Sequence, residues 1–259
     1  MNQGIFVAAA CRLEGDSEER ARALAEILGL TLFETRSRVQ PPAPRVLATF
    51  KDRDEATANV AAMAHAGFQP VLLASEDIET GAERVVARSF ELLPDRVVLA
   101  TRTDDQHEIL NREVTLLLAG MTSTHEAHTE TSTTRKFSFG KAVASGGMLL
   151  TSKKKVTTTV GQNEFQFFLN LYAAGHPTFV LRETELQYQG LGAALQPVRL
   201  ANFRRLTEEL CRRAPTAPFD NRLNTAGAQL KVLGGTLPPD RYLDVALAVL
   251  VAFYLDKQP

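Results

Sequence analysis

The sequence predicts an α+β fold: an N-terminal α/β module over residues 1–80, a central antiparallel β domain with a closing helix over 83–215, and a helical extension over 216–259. Three observations carry this. Strand-length apolar runs alternate with capped helical patterns before residue 80. Beyond Glu83, short β-rich runs follow one another at hairpin spacing with turn residues between them. From about Pro197 the apolar period becomes helical.

The elements follow in order. Gly4 to Ala10 is a continuous apolar run of strand length. Asp16 with Glu19 forms a capping pattern ahead of Ala21, Leu24, Ala25 and Leu28 at helical spacing, and Gly29 closes that helix. Thr31 and Glu34 repeat the cap for a short second helix carrying Leu32 and Phe33. Pro41, Pro42 and Pro44 then force an extended connector. Val46 to Phe50 reads as a strand, Asp52 with Glu55 opens a helix that buries Ala56, Val60 and Met63, and Phe68 to Ala74 returns as a strand after Gly67.

Arg84 to Leu93, Arg96 to Arg102 and His107 to Arg112 are β-rich runs separated by Pro94-Asp95 and by Thr103-Asp104-Asp105-Gln106. Val114 to Ala119 extends the series, and a Thr-rich tract runs from Thr122 to Thr134. Val156 to Val160, Phe165 to Ala173 and Thr178 to Arg182 supply further strands, with turns expected at Gly161-Gln162-Asn163 and Gly175-His176-Pro177. A helix from about Pro197 to Arg213 aligns Leu200, Phe203, Leu206 and Leu210 on one stripe. The tail from Pro218 reads as two helices. The second, opened by Pro238-Pro239-Asp240, contains the apolar run Val245 to Leu255, bracketed by Asp244 and Asp256 and apolar all round, as a buried packing helix is.

This succession of strands closed by Asn202-Phe203-Arg204-Arg205-Leu206 resembles the bacterial pleckstrin-homology-like fold over Glu83 to about Ala214. The β-α-β unit from Pro44 to Ala74 is similar to small ferredoxin-like modules. Both resemblances are of topology, and both imply recognition surfaces rather than a fixed chemistry.

Composition bounds the function. Lys plus Arg number 29 against 30 Asp plus Glu, a net charge of −1, so no global field draws the chain to nucleic acid or membrane and any such attraction must be local. Two cysteines, Cys11 and Cys211, exclude a disulfide framework and multi-cysteine metal motifs. No basic-flanked apolar leader opens the chain, and its longest apolar stretch falls short of the roughly 20 residues a spanning helix needs. The expectation is a cytoplasmic protein without a transmembrane segment, able to sit at the inner membrane face.

Candidate chemistry is sparse. His125-Glu126-Ala127-His128-Thr129-Glu130 crowds metal-ligand types together, but its β-branched surroundings favour an extended segment, in which an odd offset sends His125 and His128 to opposite faces. Gly140-Lys141 precedes Ser145-Gly146-Gly147, the wrong order for a phosphate-binding loop. No nucleophile elbow occurs, neither cysteine has a histidine nearby, and Asp104-Asp105 suits a solvated turn. No catalytic residue, metal or cofactor is implied.

The anomaly is electrostatic. Between Thr131 and Asn163 there is no Asp or Glu, while Arg135, Lys136, Lys141, Lys153, Lys154 and Lys155 lie inside, a local charge of +6. Phe137, Phe139, Met148 and Leu149 fall between the two basic clusters, making a basic-apolar-basic element. Such an element suits an anionic lipid surface or a protein partner; folded inward, its apolar part would be core and its lysines would edge a strand. Single-stranded nucleic acid ranks below, because a stacking surface calls for more Arg and Tyr across a sheet. The chain therefore reads as a non-enzymatic binding or regulatory protein, the alternative being an enzyme whose site is assembled only in space.

Overall fold

In the computed structural model, which describes residues 5–13, 15–136, 152–233 and 242–255 (backbone alone over 123–136 and 152–164 and at 226, 230 and 242), β1 (Phe6–Ala10) is buried along its whole length. That is why its sequence is a continuous apolar run rather than an alternation. Phe6, Ala8 and Ala10 face one core, with α1 (Ser17–Leu28), α2 (Leu32–Arg38) and α3 (Arg53–His65), while Val7 and Ala9 face a second. β1 sits between β2 (Arg45–Phe50) and β3 (Pro70–Ala74) and is antiparallel to both. The unit β2-α3-β3 is thus a split β-α-β, its two parallel strands separated by β1.

The helix starts follow the sequence reading. Asp16 accepts from the amides of Glu18 and Glu19 at 2.6 and 3.1 Å, Thr31 and Glu34 form a reciprocal capping box, and Asp52 accepts from the amide of Glu55 at 2.8 Å. Gly29 ends α1 at φ +62, in the left-handed region where a side chain is strained.

By contacts the chain divides into two units, 1–122 with 167–259, and 123–166. In the first, β5 (Ser89–Leu92), β6 (Arg96–Ala100) and β7 (Gln106–Leu110) form an antiparallel meander. A five-stranded sheet has the order β11-β8-β9-β10-β4, built from β4 (Val85–Ala87), β8 (Val114–Lys136), β9 (Ser152–Ala173), β10 (Phe179–Arg182) and β11 (Phe219–Leu223). β8 and β9 run antiparallel, the Ala174 amide donating to Glu113 O at 2.9 Å and Thr115 Oγ1 to Tyr172 O at 3.2 Å. The outer pairs differ: β4 runs parallel to β10 and β11 parallel to β8.

Alternate residues of this sheet feed two cores. Leu117, Ala119, Leu169, Leu171, Phe179 and Leu181 pack with the meander and with Phe203, Leu206 and Leu210 of α4 (Arg199–Arg213), the expected closing helix. Leu116, Leu118, Phe168, Val180 and Leu223 pack on α5 (Ala226–Leu233) and α6 (Tyr242–Leu255) in the core that also receives Val7, Ala9 and Val46. The mixed α+β class therefore stands, and the apolar run forms a packing helix that is buried at Val245, Ala246, Leu247, Val249 and Leu250 and half-buried from Val251 to Leu255.

Three local expectations are corrected. No turn interrupts Gly161-Gln162-Asn163, because β9 runs unbroken from Ser152 to Ala173; with β8 bonded alongside, ladder pairing overrides turn-prone composition. Arg84 to Leu93 is two strands, one parallel to β10 and the other antiparallel to β6. The tail contributes strand β11 as well as two helices, since parallel pairing to β8 is open to Phe219–Leu223 and buried Asp220 accepts a 2.7 Å ion pair from Arg222 and the Tyr254 hydroxyl at 3.0 Å.

Two substitutions test the packing. Leu247, 1% exposed between the sheets, should cost about 2–5 kcal/mol when changed to Ala. A Cβ at Gly190 would stand 2.0 Å from the Phe90 carbonyl oxygen, so Gly190→Ala must move backbone and should cost at least about 1–3 kcal/mol. Midpoints of guanidinium unfolding measure both.

Candidate functional site

Five of the basic residues of the basic-apolar element fall on strands β8 and β9, the β8-β9 ribbon. Arg135 and Lys136 are the last residues of β8, and Lys153, Lys154 and Lys155 follow the first residue of β9. Neighbouring antiparallel strands carry the two basic clusters to the same end of the ribbon. Phe137, Phe139, Lys141, Met148 and Leu149 lie outside the described residues, as does the Gly140 to Gly147 segment. His125 and His128 occur on strand backbone, which removes the shared helical face a metal pair would use, and their side chains lie outside the description. Among the described residues no group of three His, Cys, Asp or Glu could hold a metal ion.

The remaining singled-out residues have structural places. Cys11 is buried just after β1, and Cys211 packs on the core from α4, where burial pushes its thiol pKa up and keeps it protonated. Asp104 and Asp105 are exposed between β6 and β7, Asp104 at φ +59.

Sequence reasoning missed a polar constellation. Ser75 to Arg84, between β3 and β4, carries Glu76, Asp77, Glu79 and Glu83, and ends in Arg84, which is 8% exposed. Arg84 Nε donates to Glu79 Oε2 at 3.3 Å, and its Nη2 to the Glu79 carbonyl and to Asp244 Oδ1 on α6, both at 2.8 Å. Charge pairing on this scale offsets the cost of burying a guanidinium. Close by, Asn170 Nδ2 donates to the Tyr172 hydroxyl at 3.4 Å, while Asn170 Oδ1 is buried without a hydrogen-bond partner. Burial pushes the Tyr172 pKa up to about 12, so the phenol keeps its proton and can donate.

Glu79, Arg84 and Tyr172 edge a cleft of about 380 Å3. Leu73 of β3 and Leu247, Ala248, Val251, Ala252 and Leu255 of α6 give it an apolar wall, and Asp77, Glu79, Arg84, Tyr172 and Thr178 give it polar groups. The run Ser75 to Arg84 was legible as charged loop, but its approach to Tyr172 and Asp244 depends on two sheets and a helix meeting.

A second cluster surrounds Glu185. Its carboxylate receives Arg102 Nη2 at 2.8 Å, Arg182 Nη1 at 3.0 Å and Arg88 Nη1 at 3.4 Å. Burial opposes its ionisation, yet the bonds from Arg182 and Arg102 outweigh that and hold the carboxyl below its usual value. The cluster ties β10, the β4-β5 link and the β6-β7 connection together.

No family model, curated protein or solved structure matches the chain.

The two clusters generate separate expectations. Asp244→Ala leaves buried Arg84 with Glu79 alone and should destabilise by about 1–3 kcal/mol in urea unfolding. Glu185 has a lowered folded-state pKa, so its contribution is complete above the ordinary glutamate value of 4.5 and is lost as the pH falls through the lowered value. The melting-temperature gap between the native chain and Glu185→Gln should therefore be present at neutral pH and close in acid.

Proposed function

We propose that the protein is a non-enzymatic binding protein that docks peripherally on an anionic membrane surface through the basic-apolar element of the β8-β9 ribbon. One observation carries the reading: antiparallel neighbours β8 and β9 bring Arg135 and Lys136 to the same end as Lys153, Lys154 and Lys155. Five cations at one end of a ribbon, with no acid between Thr131 and Asn163, make a local field that a chain of net charge −1 lacks as a whole. The sequence joining the strands holds Phe137, Phe139, Met148 and Leu149, apolar side chains of the kind that enter a headgroup boundary. Among the described residues no helix is long and apolar enough to cross a membrane, so the association proposed is interfacial.

The order of strands β4 to β10 closed by α4 is the feature in favour of the pleckstrin-homology-like resemblance, although the strands divide into two sheets with parallel outer pairs, and the split β-α-β supports the ferredoxin-like one. Both architectures commonly serve recognition, the setting in which a basic ribbon acts by charge rather than by catalysis. A cytoplasmic location facing the inner leaflet fits, because that leaflet carries the anionic lipid.

Cosedimentation of the full chain with vesicles decides it. Binding to vesicles rich in phosphatidylglycerol should be strong at low salt, fall steeply as salt rises, and be weak on phosphatidylcholine. Lys153, Lys154 and Lys155 changed together to Gln should weaken it by up to about 3 kcal/mol, at about 1 kcal/mol per charge. Phe139→Ser with Leu149→Ser should remove the salt-resistant remainder. Equal binding to both vesicles, or none to either, overturns the membrane reading, and in that event the basic strip is left to a protein partner.

A further inference from the structure

The cleft beside α6 has a chemistry that the ribbon does not use. Its wall is α6 itself, a helix apolar all round whose Val245, Ala246, Leu247, Val249 and Leu250 are buried while Val251, Ala252 and Leu255 remain half-buried along the cleft. Its volume, about 380 Å3, lies within the range of small-molecule sites, and its mix of a broad apolar wall with a few polar groups at one edge is their usual composition. Such a wall alone would not say what fits; the charges do. Among the described residues Arg84 is the one cation lining the cleft, and its guanidinium is engaged by Glu79 and by Asp244. Asp77 and Glu79 both line the cleft, so with Asp244 three carboxylates stand against one guanidinium. The excess is negative, and an anionic headgroup would meet repulsion there.

We propose that this cleft is a binding site for an amphipathic cation, an alkyl or aryl body lying against Leu73, Leu247, Val251 and Leu255 with an ammonium group held by Asp77 and Glu79. The site is built within one unit of the chain, from β3, the Ser75 to Arg84 loop, β9 and α6. Arg84 acts as a positioning residue: through its bonds to the Glu79 side chain and carbonyl and to Asp244, it fixes the acidic loop against the helix that forms the wall. Tyr172 adds a neutral hydroxyl, held by Asn170, for a polar atom on the ligand. This inference stands apart from the membrane reading, since it uses none of the ribbon residues.

Titration calorimetry of the full chain with decylammonium, decanoate and decanol, each below its micellar concentration, tests it. Decylammonium should bind saturably at one site and at least about tenfold more tightly than decanoate, the factor expected of one good charge interaction near a surface. Asp77→Asn with Glu79→Gln should erase that preference while leaving decanol binding in place. Ala252→Trp, which fills the cleft, should abolish all three; Val251→Phe fills it from the neighbouring position if the first variant loses its cooperative melt. Decanoate binding as tightly as decylammonium, unchanged binding by a folded cleft-filled variant, or no saturable binding overturns the proposal. So does binding that emerges only after residues 256–259 are removed, which would assign the cleft to the chain's own end.

Discussion

A single apolar helix lies where two sheets would otherwise expose a face each. β1 and its neighbours use one face for α1, α2 and α3, and the five-stranded sheet uses one face for the meander and α4. Their other faces meet in the core that α6 fills. Val245, Ala246, Leu247, Val249 and Leu250 are buried there and the last turn, from Val251 to Leu255, is half-buried, which is why the helix shows no polar stripe and why Asp244, near its start, is paired with Arg84. Everything downstream follows from this wedge. It forces β1 to be apolar on both faces, and it sets the spacing in which a cleft remains beside Leu73 and Leu255.

Polar ties hold the wedge in register. Arg84 fastens the Ser75 to Arg84 loop to Asp244, and the Tyr254 hydroxyl donates to Asp220 of β11 at the other end of the helix. Arg222 pairs with Asp220 at 2.7 Å and donates to the Ala43 carbonyl at 2.7 Å, joining β11 to the connector ahead of β2. Hydrophobic burial is non-directional, so a helix that is apolar all round could rotate or slide; charged hydrogen bonds at both ends supply the direction.

Local signals in the sequence located most elements and few of the contacts. Asp16, Thr31 and Asp52 cap helices because a short side-chain oxygen followed by a helical apolar period is a local arrangement, and Gly29 closes α1 for an equally local reason. Where partners decide, the local signal misled. Gly161-Gln162-Asn163 has turn composition, yet β8 alongside keeps it in β9. Phe219–Leu223 alternates weakly and becomes a strand because β8 presents an edge to pair with. The Arg84 constellation needed four segments to meet, and pairings between distant segments leave no periodic trace in sequence. The basic ribbon is the reverse case, legible from charge alone, with the strands adding that its two clusters share one end.

That shared end is the centre of the functional account, for it gathers five cations at one end of two paired strands on a chain whose total charge is close to zero. Amide hydrogen exchange of the full chain, with and without phosphatidylglycerol vesicles, reports where a membrane touches it. The account predicts slowed exchange confined to Arg135 through Lys155, disappearing when the salt concentration is raised. Protection elsewhere in the chain with none in that segment, or no protection at all, would contradict it.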